Sequence, residues 1–84
     1  MPNIKIYTTH YCPYCTAAKN LLKSKGLAFE EINVEGDEEK RTWLRETTGQ
    51  RTVPQIFIDD KSIGGFSDMK SLEEEGKLDS LLAT

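Results

Sequence analysis

The chain has 84 residues, 37% of them apolar, and a formal charge of -3 from 14 acidic and 11 basic side chains. That length is expected to make one domain, over residues 1–84, with a single core that needs neither a metal nor several disulfides as a staple. No run of Lys or Arg is long enough to track a phosphate backbone and no apolar run is long enough to span a bilayer, so neither nucleic acid nor a membrane is expected as a partner.

The elements alternate along the chain. "NIKIYTT" reads as a strand, with Ile4 and Ile6 on one face and Lys5 and Tyr7 on the other. From Pro13 to about Lys25 the period changes to that of a helix: Ala17 pairs with Leu21 and Ala18 with Leu22 at i,i+4, and Gly26 suits the C-cap. "LAFEEINV" returns to a strand. "DEEKRTWLRETTG" is a second helix, with acids first, bases later, Trp43 and Leu44 as its apolar contact and Gly49 as its end. "PQIFID" and "SIG" form a hairpin around "DDK". Met69 with Leu72, and Leu78 with Leu81 and Leu82, predict two short helices joined near Gly76.

The order βαβαββα plus a tail predicts an α/β fold. Its first two strands are parallel through a right-handed crossover, and helices cover both faces of a small four-stranded mixed sheet.

The chain's only two cysteines stand in "HYCPYC". The N-terminal "MPNIKIYTTHY" lacks the charged and long apolar regions of a signal peptide, which makes the cytosol the expected compartment. Thiols are kept reduced there, so a Cys pair points to catalysis or metal binding. Cys12 follows a strand and precedes a helix whose first residue is Pro13, a residue that suits N1 because its missing N–H costs nothing there. Cys12 is therefore expected at the N-cap, with its sulfur facing the unpaired N–H groups of Tyr14 and Cys15 and the positive end of the helix dipole. Both effects favour the thiolate, which is the reactive form. Cys15 lies one turn inside, placed to attack a mixed disulfide on Cys12, and the chemistry supported is thiol–disulfide exchange.

Two other readings stand beside it. A zinc site wants four ligands, and the only other soft one is His10, so such a site needs a second subunit. A structural bridge closing two intervening residues restrains little of the unfolded chain. A C-x-x-C beside a βαβ pattern favours the redox pair.

"CPYC" at 12–15, "TVP" at 52–54, and Gly64-Gly65 followed by Asp68 make the chain resemble a dithiol glutaredoxin of the small bacterial type, over about residues 3 to 83. Thioredoxin is less similar: its loop carries Gly-Pro between the cysteines and a Trp before them, where this chain has Pro13-Tyr14 and Tyr11. The resemblance implies a thioredoxin-like fold and a glutathione-dependent oxidoreductase. Its substrates are protein–glutathione mixed disulfides and protein disulfides, with Cys12 as nucleophile and Cys15 as resolving thiol. Glutathione is then the reductant, no metal is expected, and the protein is a monomer whose targets include glutathionylated proteins and ribonucleotide reductase.

By the same resemblance, glutathione meets Tyr14, Arg51, Thr52, Val53, Pro54, Gly65, Ser67 and Asp68. A cis Val53–Pro54 bond lies opposite the cysteines and offers the Val53 backbone to a peptide-like substrate; the plain alternative is a proline that starts a strand. Ser67 is expected as the N-cap of the next helix, whose amides take the γ-glutamyl carboxylate while Asp68 meets the ammonium. Arg51, with Gln50 a weaker candidate, meets the glycyl carboxylate; Tyr14 flanks the tripeptide. Tyr7 and Trp43 read as packing residues. One departure stands out: glutaredoxins often carry Lys three residues before the first cysteine, and this chain has Thr9. His10 and Lys19 are the local cations available in its place, the first only when protonated.

Two alternative functions accompany this reading. One is a glutaredoxin-like protein recharged by a thioredoxin reductase, against which Arg51, Ser67 and Asp68 speak. The other is a dimer bridging a [2Fe–2S] cluster through Cys12, against which Cys15 and Pro13 speak.

Overall fold

The computed structural model describes residues 3–82. The elements are β1 (Ile4–Thr8), α1 (Pro13–Ser24), β2 (Glu30–Asn33), α2 (Glu38–Thr48), β3 (Gln55–Ile58), β4 (Lys61–Gly64), α3 (Phe66–Glu74) and α4 (Lys77–Leu82). The four strands form one mixed sheet in the order β2-β1-β3-β4. β1 and β2 are parallel, as the intervening helix requires, and the other two pairings are antiparallel.

The period-2 alternation of β1 and β3 sorts the core onto the two faces. Ile4, Ile6, Ile56 and Ile58 lie on one face and pack against Ala18 and Leu22 of α1, Met69 of α3 and Leu78 of α4. On the other face Phe57, with the partly buried Tyr7, packs under Leu44 of α2 and Val34. All four residues of β3 are buried because this central strand is covered on both sides. Each fully buried Ile, Leu or Met contributes roughly 1.5–3 kcal/mol, which makes the first face the larger store of stability. Tyr7 and Trp43 act as packing residues: both rings lie against Phe57, with Trp43 stacked on it at a centroid distance of 5.7 Å.

The structure moves four of the expected boundaries. β2 is shorter than "LAFEEINV", because Leu27 and Phe29 turn into the first core cluster before strand pairing begins at Glu30. The hairpin turn is Asp59–Asp60 alone, with φ of 50° and 68°, and Lys61 already pairs in β4. Positive φ at both central residues matches the twist of the flanking strands. The α1 C-cap is Lys25, whose N–H bonds the carbonyls of Leu21 and Leu22, and Gly26 follows it. The Lys25 ammonium also ties α1 to the last two helices, through Glu73 at 2.8 Å and Asp79 at 2.8 Å. The fourth shift concerns Ser67 and belongs to the site.

Candidate active site

β1, an interior strand, ends at Thr8, and after three residues Cys12 takes up extended backbone angles as the N-cap of α1. Pro13 occupies the first helical position. The Cys15 N–H donates to the Cys12 sulfur at 3.1 Å, so an orphan amide of the first turn is satisfied by the cysteine itself. Cys12 and Cys15 are joined as a disulfide with Cα atoms 5.1 Å apart. The two sulfurs are not equivalent. Cys12 is half-buried at the surface, whereas Cys15 is 2% exposed and sits beneath it.

The Cys12 sulfur lies 3.7 Å from the Val53 carbonyl oxygen, and the Val53–Pro54 peptide is cis. The segment 52–54 is held by a residue that the sequence reading overlooked. Gln55 is fully buried at the start of β3, and its Nε2 donates to the Thr52 carbonyl at 2.8 Å and to Gln50 Oε1 at 3.1 Å. A glutamine next to a proline reads as an exposed turn residue; only its position in a strand covered on both faces makes it a brace.

Beside the disulfide runs a groove of about 520 Å³. Tyr14 forms one wall, Thr52, Val53 and Pro54 line the middle, and Gly65, Ser67 and Asp68 stand at the far end. The Tyr14 ring leans over Phe66 at a centroid distance of 6.3 Å. That volume falls in the range of small-molecule sites.

α3 begins two residues earlier than expected. Gly65 is the N-cap and Ser67 is the second helical residue, because Phe66 packs onto the first core cluster and draws the first turn inward. The Asp68 carboxylate reaches back to accept the Gly65 N–H at 3.0 Å. The first backbone bond of this turn runs from Met69 N–H to the Gly65 carbonyl, which leaves the amides of Phe66, Ser67 and Asp68 without a helical acceptor. Unpaired amides at a helix N-terminus are suited to an anion, and these three residues line the end of the groove.

Arg51 is not in this groove. It lines an adjoining depression of about 170 Å³ with Glu38, Arg41 and Arg45, and the two cavities share Gln50, Thr52 and Val53. Arg41 and Arg45 were also missed in the sequence. Their i,i+4 spacing was the available signal, but it reads as an ordinary solvated helix face until α2 is seen packed beside residues 50–53.

The two cations proposed to replace the lysine absent at Thr9 serve other contacts. Lys19 pairs with Glu31 at 3.1 Å, and the same carboxylate oxygen accepts the Thr8 hydroxyl at 2.9 Å. The His10 ring stands 3.2 Å from the Asn33 amide nitrogen, and its backbone N–H donates to Glu35. Among the described residues, no three His, Cys, Asp or Glu side chains are grouped so as to hold a metal.

Comparison with known proteins agrees with this geometry. The family model described as glutaredoxin matches residues 4–63. The chain is 49% identical over 83 residues to the glutaredoxin of Pseudomonas aeruginosa, covering 99% of both chains. The chain belongs to the glutaredoxin family. It is also 49% identical over 82 residues to glutaredoxin 3 of Escherichia coli, covering 98% of this chain and 99% of that one. Among solved structures it resembles the solution structure of a glutaredoxin from Brucella melitensis, with 49% identity and a TM-score of 0.85 over 95% of this chain and 87% of that one. It also resembles a buckwheat glutaredoxin–glutathione complex, with 30% identity and a TM-score of 0.90 over 98% of this chain and 77% of that one. The architecture described above is thus the thioredoxin-like fold of a glutaredoxin. The glutaredoxin is a glutathione-dependent thiol–disulfide oxidoreductase whose redox centre is the Cys12–Cys15 pair.

Proposed function

We propose that Cys12 is the attacking sulfur and Cys15 the resolving one, and that the groove from Tyr14 to Asp68 holds the glutathionyl half of the substrate. The observation that carries this reading is the asymmetry of the pair. Cys12 is half-buried, with an amide N–H on its sulfur and the carbonyl of the groove-lining Val53 3.7 Å away, while Cys15 is 2% exposed. On reduction that N–H and the helix dipole favour the Cys12 thiolate.

The thiolate attacks the glutathione sulfur of a mixed disulfide; the protein thiolate leaves and takes up a proton, and glutathione remains on Cys12. A second glutathione thiolate attacks that intermediate, releasing glutathione disulfide and restoring Cys12. For a protein disulfide, Cys12 first joins one target sulfur. Cys15 then displaces the target, forming the Cys12–Cys15 bond, and two glutathiones later reduce it.

Binding follows the charges of the tripeptide. The free amides at the start of α3, those of Ser67 and Asp68 among them, receive the γ-glutamyl carboxylate, and the Asp68 carboxylate meets the ammonium. The Thr52 and Val53 backbone pairs with the cysteinyl residue, Pro54 and Gly65 shape the close approach, and Tyr14 shields one side. Arg51 reaches the glycyl carboxylate from the adjoining depression. The protein works as one monomeric domain and carries no metal. Among the described residues no helix is long and apolar enough to cross a membrane. The cytosol is the compartment proposed for this activity. Its acceptors are glutathionylated and disulfide-bonded proteins, with ribonucleotide reductase the candidate suggested by the family.

The test is reduction of a small glutathione mixed disulfide, coupled to glutathione reductase, by the wild type, Cys12→Ser and Cys15→Ser. Turnover by the wild type and the Cys15 variant with a dead Cys12 variant is expected. A dead wild type whose disulfide is instead reduced by thioredoxin reductase overturns the glutathione assignment.

A further inference from the structure

Helix α2 places Arg41 and Arg45 one turn apart on the depression that Arg51 and Glu38 also line. These four side chains carry a formal charge of +2 in a chain whose net charge is -3. The ion pairs among the described residues all use lysines, so none of the three guanidinium groups is matched by a carboxylate within bonding distance. Arg45 reaches only the Thr42 hydroxyl, at 3.3 Å. Like charges held around one small cavity repel one another, and an anion entering it relieves that repulsion. The glycyl carboxylate of glutathione, taken by Arg51, supplies a single negative charge and leaves one positive charge unmatched.

We infer that this depression receives a second carboxylate, an Asp or Glu side chain of the protein substrate near its reacting cysteine, and that Arg45 is its principal partner. The inference rests on the glutathione reading above and names the target class it serves: disulfides in acidic sequence surroundings. Val53 lines both cavities and its carbonyl oxygen lies 3.7 Å from the Cys12 sulfur, so the target cysteine leaving from a glutathione mixed disulfide attacked at that sulfur stands close to the arginines. A guanidinium fork suits the task because it binds a carboxylate through two parallel N–H bonds. Arg45 is exposed, so the pairing is modest and is screened by salt.

The experiment uses two glutathionylated peptides that differ only in carrying Glu or Lys beside the modified cysteine, with a small glutathione mixed disulfide as control. We expect the wild type to show a KM about fivefold lower for the Glu peptide at low ionic strength, a gap that closes at high salt. Arg45→Glu abolishes or reverses that preference and Arg45→Lys keeps part of it, each peptide's KM being read relative to the same variant's KM for the small disulfide. Equal KM values for the two peptides in the wild type, or an undiminished preference in Arg45→Glu, overturn the inference. A wild type inactive on the small disulfide overturns the glutathione reading and this inference with it, so the control tells the two failures apart.

Discussion

The carboxylate of Asp68 accepts the backbone N–H of Gly65 at 3.0 Å, so the residue proposed to meet the glutathione ammonium also caps the helix that carries it. Conservative substitution separates the two roles. Asp68→Asn keeps an acceptor oxygen for Gly65 and loses the charge. It should raise KM for glutathione about tenfold, the loss expected for a charge-assisted hydrogen bond, and leave stability within about 0.5 kcal/mol. Asp68→Ala should lose the cap as well, a further cost of about 1 kcal/mol in urea unfolding. An Asn variant with unchanged KM removes Asp68 from the binding site.

Gly64 answers to the same carboxylate. Its φ is +98°, and Asp68 fills the space that a Cβ at this position would need. Gly64→Ala is therefore expected to cost roughly 1–3 kcal/mol, from the strained backbone together with the displaced carboxylate. Combining it with Asp68→Ala should cost less than the sum of the two single changes, because the clash disappears with the carboxylate. Strict additivity in a double-mutant cycle would assign the whole penalty to the backbone.

Glu31 sets a pH dependence. Burial pushes its carboxyl up, but the hydrogen bonds from Lys19 and Thr8 outweigh that and hold it below its ordinary value of 4.5. A carboxyl lowered on folding stabilises the protein above its unfolded pKa, and that contribution fades as the pH falls through the folded value. Glu31→Gln should thus flatten the loss of stability below about pH 4.5, with a change at neutral pH of no more than about 1 kcal/mol for a pair this exposed. Unfolding curves from pH 3 to pH 7 decide it, and an unaltered acid limb in the variant would place the dependence on another carboxylate.

Much of the fold could be read along the chain, because its signals are local. The alternation of Ile4 and Ile6 against Lys5 and Tyr7, the Ala17–Leu22 stripe and Gly49 as the end of α2 each act within a few residues, and the elements follow them. Boundaries slipped where tertiary packing overrode a local preference. Phe66 started α3 ahead of Ser67, and Leu27 and Phe29 went to the core ahead of β2.

The redox centre is a local feature of the chain: Cys12 before Pro13 makes an N-cap, and Cys15 three residues on returns its amide to the same sulfur, a relation that lies within one helical turn. What surrounds that sulfur is set by long-range packing. Val53 comes to it from 41 residues away through the placement of β3 beside β1, Lys19 is drawn to Glu31 across to β2, and Arg51 joins two arginines of α2 in a separate depression. Spacing along a chain reports which groups share a turn or a strand face. Which groups meet across a groove depends on the order in which strands pair and on the faces that helices bury against them.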